Sequence, residues 1–323
     1  MSSAWTVELP LRGAGGEPVD LRRTIRSHGL VSLPPMRPDG EGRALEITLA
    51  LARGRPRTVR VSGGRSGHAL ISTSGPPPGP RTARELLAAV RHVLALDRDL
   101  SGFYAACSDD PELRWACGGA GRMIRSQTVF EDVVKTICTT NCAWSATERM
   151  VGALVEHLGE RARDAPSTGP WGRAFPTPAA MTAAGEAFFR EVVRAGYRGR
   201  SLMALSEAVA GGALDLEALG RAGPEELPDA EVEAALLALP GVGPYGAAHM
   251  MLLLGRCSRL ILDSWTRPTY ARLAGRPRVS DRAIERRFRR YGSWAGLAFW
   301  LMLTRRWVPE GPEPADADGR SLG

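Results

Sequence analysis

Lysine is nearly absent from this 323-residue sequence: Lys135 is the only one, so all the other basic side chains among the 42 are arginines. Chemistry that needs a reactive amine has one candidate. Cysteine is also scarce. Cys107, Cys117, Cys138, Cys142 and Cys257 form an odd, scattered set with no C-x-x-C pair. This argues against a structural zinc or iron–sulfur site and for reduced thiols packed in the core. No metal is expected to be needed. No apolar run reaches the roughly 18–20 residues of a membrane helix, so no membrane partner is expected. The start, Met1-Ser2-Ser3-Ala4-Trp5, lacks the charged and apolar regions of a signal peptide. A cytoplasmic, monomeric protein is expected.

The composition, 44% hydrophobic and 24% charged, is that of a globular chain, and its length suggests two domains. The net charge is +7 and is carried by arginine. Guanidinium groups bind phosphate oxygens in bidentate fashion, so such a surface suits a nucleic-acid partner.

Residues 1–80 read as β-rich, with strands over 44–51, 57–61 and 69–72 and a helix running from the N-cap Asp20 to near Gly29. The run S-G-P-P-P-G-P over 74–80 is a connection. From Thr82 the pattern turns helical. Thr82 with Glu85, Thr128 with Glu131 and Ser145 with Glu148 have the spacing of capping boxes, and Thr177-Pro178 opens a further helix. Helices follow over 129–140, 146–158, 185–195, 200–210, 229–239, 244–255, 264–274, 281–291 and 294–306. The last stretch, 309–323, is acidic and rich in Pro and Gly and is expected to be disordered. The expected class is α+β: a small antiparallel β domain (1–80), a predominantly α-helical domain (81–308) and the tail.

The most specific signal is Leu239-Pro240-Gly241-Val242-Gly243-Pro244-Tyr245-Gly246-Ala247, set between two helices. Gly241 and Gly243 permit backbone angles closed to other residues and let N–H groups approach a phosphate, while Pro244 opens a helix whose N-terminus favours an anion. Asp263, at the end of the apolar run Leu260-Ile261-Leu262, is a natural N-cap for the next helix.

The 239–247 motif resembles the helix-hairpin-helix of the DNA glycosylase superfamily. Further segments are similar to 8-oxoguanine glycosylases: Phe130-Glu131-Asp132-Val133-Val134 leading to Ile137-Cys138-Thr139-Thr140-Asn141-Cys142, then Phe175-Pro176-Thr177-Pro178 and Gly196-Tyr197-Arg198-Gly199-Arg200. A β-rich domain ahead of the helical one is shared with those enzymes and with the bacterial inducible 3-methyladenine glycosylases. The resemblance covers most of residues 1–308.

It implies that Asp263, 20 residues beyond Gly243, is the catalytic carboxylate. Asp263 would stabilise the sugar cation that develops as an N-glycosidic bond breaks, with water as the nucleophile. Gly241, Val242, Gly243 and Tyr245 would hold the DNA backbone, with a monovalent cation allowed at the hairpin, and no other cofactor is implied. Asn141 and Cys142 would fill the gap left by an extruded base, with Trp144 as a wedge.

The sequence departs from the family at several of these places. Bifunctional members carry a nucleophilic lysine where Tyr245 stands, and Lys135, in another helix, reads as a surface residue, so lyase chemistry is not expected. His249, Trp265 and Phe299 replace smaller or hydrogen-bonding pocket residues. With Tyr245 they imply an aromatic pocket suited to a cationic, alkylated purine, although core packing would also explain Trp265 and Phe299.

The resulting expectation is a monofunctional DNA glycosylase of base excision repair, a hydrolase of N-glycosyl bonds acting on double-stranded DNA that contains a damaged base. The alternatives are an 8-oxoguanine-type glycosylase with a rebuilt pocket and a non-catalytic, damage-sensing DNA-binding protein.

Overall fold

The computed structural model describes residues 5–309. Apart from Pro309, the acidic tail lies outside the described residues.

Five strands, β1 (Trp5–Pro10), β2 (Met36–Pro38), β3 (Ala44–Leu49), β4 (Arg57–Gly63) and β5 (His68–Thr73), make one sheet in the order β1-β5-β4-β3-β2. All neighbours are antiparallel. β2 to β5 form a meander, and β1 adds to its far edge with Trp5 opposite Thr73 and Pro10 opposite His68. Side chains alternate as the pleat requires: Val59 and Val61 are buried with exposed Arg60 between them, and Val61 faces Ile71 across the ladder. β1 and β2 escape the sequence reading. β1 does alternate Trp5, Val7 and Leu9, whereas three residues of β2 are too few to show a period.

The inner face of the sheet packs on α1 (Leu21–Ile25) and α2 (Pro80–Val93), so that Leu21, Ile25, Leu86, Val90 and Val93 share a core with Val59, Val61 and Ile71. This first core therefore runs past residue 80 and reaches Ile124. Asp20 caps α1, its carboxylate accepting the Arg23 N–H at 2.9 Å, but the helix ends at Ile25 rather than near Gly29.

The second core is helical. It is built from α3 (Ser101–Cys107), α4 (Val129–Thr139), α5 (Trp144–Leu158), α6 (Pro178–Glu191), α7 (Arg198–Ala210), α8 (Leu216–Arg221), α9 (Asp229–Leu237), α10 (Pro244–Leu253), α11 (Thr266–Leu273), α12 (Asp281–Phe288) and α13 (Ala295–Thr304).

Two of the capping boxes are corrected. α2 opens at Pro80, ahead of Thr82, and Glu85 accepts the Ala52 N–H instead of reaching back. α5 opens at Trp144, and Glu148 takes the Trp144 indole N–H at 3.0 Å. Thr128 does cap α4, accepting from the Glu131 N–H at 3.2 Å, and Thr177 caps α6 through the Ala180 N–H at 3.1 Å. The Glu131 side chain, however, turns inward.

The two cores meet along residues 27–33. Leu30 and Leu33 enter the helical core, while the Trp300 indole of α13 donates to the Ser27 carbonyl at 2.8 Å.

Candidate active site and nucleic-acid interface

The hairpin joins α9 to α10. Gly241 has φ +81°, and a Cβ there would lie 2.8 Å from Ser201 Cβ, so glycine is demanded by both backbone and packing. Gly243 is different. Its φ of −103° is open to any residue and a Cβ would meet nothing within 4 Å, so the fold itself does not require glycine there. It stands at the N-cap of α10 with no side-chain cap, and Pro244 occupies the first turn. A bare, unobstructed helix N-terminus is left at the turn. Val242 is buried beneath it, its N–H donating to the Leu239 carbonyl at 3.2 Å.

Asp263 lies just ahead of α11 and is half-buried. Its Oδ1 accepts the N–H groups of Trp265 at 2.8 Å and Thr266 at 2.7 Å, while the Thr266 hydroxyl accepts the Asp263 N–H at 2.8 Å. This reciprocal cap fixes the carboxylate. Oδ2 accepts no hydrogen bond among the described residues, and the neighbouring Arg267 is committed to Asp281 at 2.8 Å. One carboxylate oxygen is thus held while the other stays available.

Tyr245 connects the hairpin to Asp263. Its phenol is pushed up by burial, Thr139 works against that shift, and the Asp263 charge adds to it. The Tyr245 ring stacks on His249, with centroids 6.1 Å apart and planes at 29°. His249 meets Trp300 edge-on at 6.5 Å and His28 edge-on at 5.5 Å. Trp265, Trp300 and Trp307 lie 5.6 to 5.9 Å from one another. Trp265, 39% exposed, is the solvent-facing member of this trio beside Asp263. Tyr245, His249, Trp265 and Asp263 therefore form one group. Burial pushes the His249 imidazole down to about 4 and, with the His249 charge as a second cause, His28 down to about 3, so both rings are neutral near pH 7.

Phe299 does not join them. It is fully buried between Tyr270 at 5.8 Å and Phe288 at 5.1 Å, on the core side of α13. The next residue, Trp300, faces the cluster. Adjacent residues on a helix point about 100° apart, so the two rings face different sides of α13. Core packing accounts for Phe299.

Lys135 is not a surface residue. It is 0% exposed, its Nζ lying 2.7 Å from the Glu131 carboxylate, 3.4 Å from Ser126 Oγ and 3.5 Å from the Leu33 carbonyl. A helix position that looks exposed by pattern is buried here because the N-terminal segment crosses α4.

In the loop between α4 and α5, Asn141 is exposed with φ +46°, and its amide reaches the Tyr197 hydroxyl at 3.4 Å. The Cys142 thiol turns inward, donating to the Cys138 carbonyl at 3.2 Å. Trp144, 41% exposed, leans on the N-terminal segment: a Cβ on Gly29 would lie 3.4 Å from its ring. Tyr197, 62% exposed, stands beside Asn141 with the Arg198 guanidinium 4.5 Å from its ring.

Tyr197, Trp300, Trp307 and His28 are the residues of this region that sequence reasoning passed over as site candidates. Tyr197 lies in Gly196-Tyr197-Arg198-Gly199-Arg200, whose similarity to 8-oxoguanine glycosylases is the signal that marks it. His28 is a lone histidine in an irregular segment and carries no periodic signal.

No family model matches the chain, and no curated protein matches it in sequence. Solved structures do match. A 3-methyladenine DNA-glycosylase from Archaeoglobus fulgidus superposes with a TM-score of 0.66 at 20% identity, over 94% of this chain and 99% of that one. The Clostridium acetobutylicum 8-oxoguanine glycosylase/lyase, in complex with double-stranded DNA containing cytosine opposite 8-oxoG, gives 0.68 at 21% identity, over 95% and 98%. MBOgg1, in complex with a low affinity DNA ligand, gives 0.69 at 18% identity, over 96% and 100%. The chain has the fold of these glycosylases along nearly its whole length: an antiparallel sheet followed by a helical region.

Proposed function

We propose that the protein is a monofunctional DNA glycosylase that extrudes a damaged, alkylated purine from duplex DNA and hydrolyses its N-glycosidic bond. The observation that carries this reading is the Asp263 carboxylate, anchored by two backbone N–H groups through one oxygen and free at the other, beside an aromatic wall.

As the base departs, positive charge builds on the deoxyribose. A fixed carboxylate stabilises that charge without having to reorganise, and its free oxygen can orient or deprotonate the attacking water. Tyr245 occupies the place where bifunctional relatives of this fold would carry an amine, and the one lysine is sealed in the core, so no Schiff base forms and the strand is not nicked. Trp265 and its partners suit a cationic base, which is already a good leaving group.

The hairpin turn grips the backbone through N–H groups, independently of sequence. A monovalent cation at Gly241 and Gly243 would be held there by backbone oxygens alone. The segment 239–243 carries no acidic side chain, a donor set that fits a single positive charge better than a divalent ion. Asn141 and Tyr197, exposed side by side, fill the gap left by the extruded nucleotide at an unstacking cost of a few kcal/mol.

The test is excision from duplexes carrying one defined lesion each (3- or 7-alkylpurine, hypoxanthine, 8-oxoguanine or uracil), read with and without alkali. Alkali-dependent cleavage at an alkylpurine is expected. Nicking without alkali overturns the monofunctional assignment, release of 8-oxoguanine alone overturns the substrate, and tight duplex binding with no release overturns the enzyme.

A further inference from the structure

Resting on the glycosylase reading, we propose that His28 is a specificity-determining residue of the pocket. Its Nδ1 accepts a hydrogen bond from the 6-amino group of the extruded base and so selects 6-amino over 6-oxo alkylpurines.

His28 is held more firmly than a loop residue needs to be. Its Nε2 lies 2.7 Å from the Ile124 carbonyl, the Ile124 N–H donates to Ser27 Oγ at 2.9 Å, and the Trp300 indole donates to the Ser27 carbonyl at 2.8 Å. These bonds tie the segment to the first core on one side and to α13 on the other. They also decide the tautomer. A carbonyl only accepts, so Nε2 carries the proton, and in a ring kept neutral by burial Nδ1 is left with a lone pair. That Nδ1 is buried with no hydrogen-bond partner among the described residues, and so is Nε2 of His249, whose ring lies 5.5 Å away.

Orphaned polar atoms in an interior are costly and rare. Two of them in adjacent rings, at the end of the Tyr245–His249 stack, mark the polar end of an otherwise aromatic cluster. Lys135, whose charge is felt at His28, is already paired with Glu131. Among the described residues no hydrogen bond answers the acceptor.

A 6-amino group offers it an N–H. A 6-oxo group would place a second lone pair against it and leave both unsatisfied. Sites built to hydrogen-bond a substrate group discriminate strongly against analogues that lack it. The aromatic wall attracts the cationic ring whatever its substituents, whereas His28 distinguishes between cationic rings.

The experiment uses the full chain and a methylated duplex from which 3-methyladenine and 3-methylguanine are both scored, each rate divided by its spontaneous release. His28→Phe keeps a ring and removes the acceptor. The expected result is a fall of about tenfold or more in kcat/KM for 3-methyladenine, with 3-methylguanine unchanged or faster. An unchanged ratio between the two bases overturns the role of His28. Wild-type protein that releases neither base overturns the glycosylase reading itself.

If the variant does not fold, the wild-type protein decides alone, through quenching of its tryptophan fluorescence by free bases. Free 3-methyladenine should bind about tenfold or more tightly than 3-methylpurine, which lacks the amino group. Equal affinities overturn the proposal.

Discussion

The start and the middle of α10 present opposite chemistries within two turns of helix. At its start, Gly241, Gly243 and Pro244 display backbone with little side chain in the way. Further along, His249 is buried among Tyr245, His28 and Trp300, where only side chains make contact. The first end suits a ligand that is the same at every step of a polymer, and the second suits one particular ring. Because both lie on one helix, a backbone gripped at the turn, as proposed, would have a fixed offset from the His249 cluster. Placing the reacting group in this way is worth more to a slow hydrolysis than tight binding of the substrate.

Asp263→Asn should break the comparison most severely on the pocket side. The amide keeps the capping geometry at Oδ1 but removes the negative charge, so single-turnover excision should fall by about 100-fold or more while duplex affinity stays within about threefold if, as proposed, the turn holds the phosphates. Retained excision would remove Asp263 from the mechanism.

On the turn side, two glycines two residues apart should behave differently. Gly241→Ala must adopt φ +81° and push against Ser201, so thermal denaturation should show a loss of about 1–3 kcal/mol. Gly243→Ala meets no atom within 4 Å and needs no unusual backbone, so its stability should be unchanged and only duplex affinity should weaken. Equal losses of stability in both would mean that the turn serves the fold alone.

The sequence already showed most of this architecture. The hairpin, the Asp263 cap, the antiparallel β-rich start and most of the long helices were legible because each rests on local rules: glycine backbone freedom, N-cap preference and apolar periodicity. What was not legible depended on contacts distant in sequence. Lys135 looked solvent-facing because nothing nearby announces that Leu33 and Ser126 will cover it. Phe299 and Trp300 are adjacent in an almost wholly apolar helix, and no local pattern says which of the two looks toward Trp265. His28 acquires its tautomer from Ile124, 96 residues away.

His28 and His249 also make stability depend on pH, with a definite sign. Their folded pKa values, about 3 for His28 and about 4 for His249, lie below the usual 6.5. Below pH 6.5 the unfolded chain takes up protons that the folded chain refuses. Stability is therefore full above that pH and is lost as pH falls, by about 1.4 kcal/mol per unit for each ring. Asp132, raised to about 7 by burial, acts in the opposite sense across the same range, so the total slope is a difference. His249→Phe isolates one contribution: its denaturation free energy should fall less steeply than wild type between pH 6.5 and 5. Parallel slopes would mean that His249 is not buried and neutral.

The smallest effect expected is also the one most specific to the pocket. Trp265→Ala removes the exposed member of the tryptophan trio and leaves Trp300 and Trp307 in contact at 5.9 Å, so the fold should stand. What is lost is a π-face beside Asp263, and that face attracts a cationic ring by about 0.5–2 kcal/mol more than it does a neutral one. Excision of 7-methylguanine, a cation, should therefore slow by a few-fold up to about thirtyfold, while release of neutral hypoxanthine should slow by less. A uniform loss on both bases would mean that Trp265 supplies stacking area without regard to charge. The aromatic character of the pocket would then cease to argue for alkylated substrates, and selectivity would rest on the buried polar end at His28 alone.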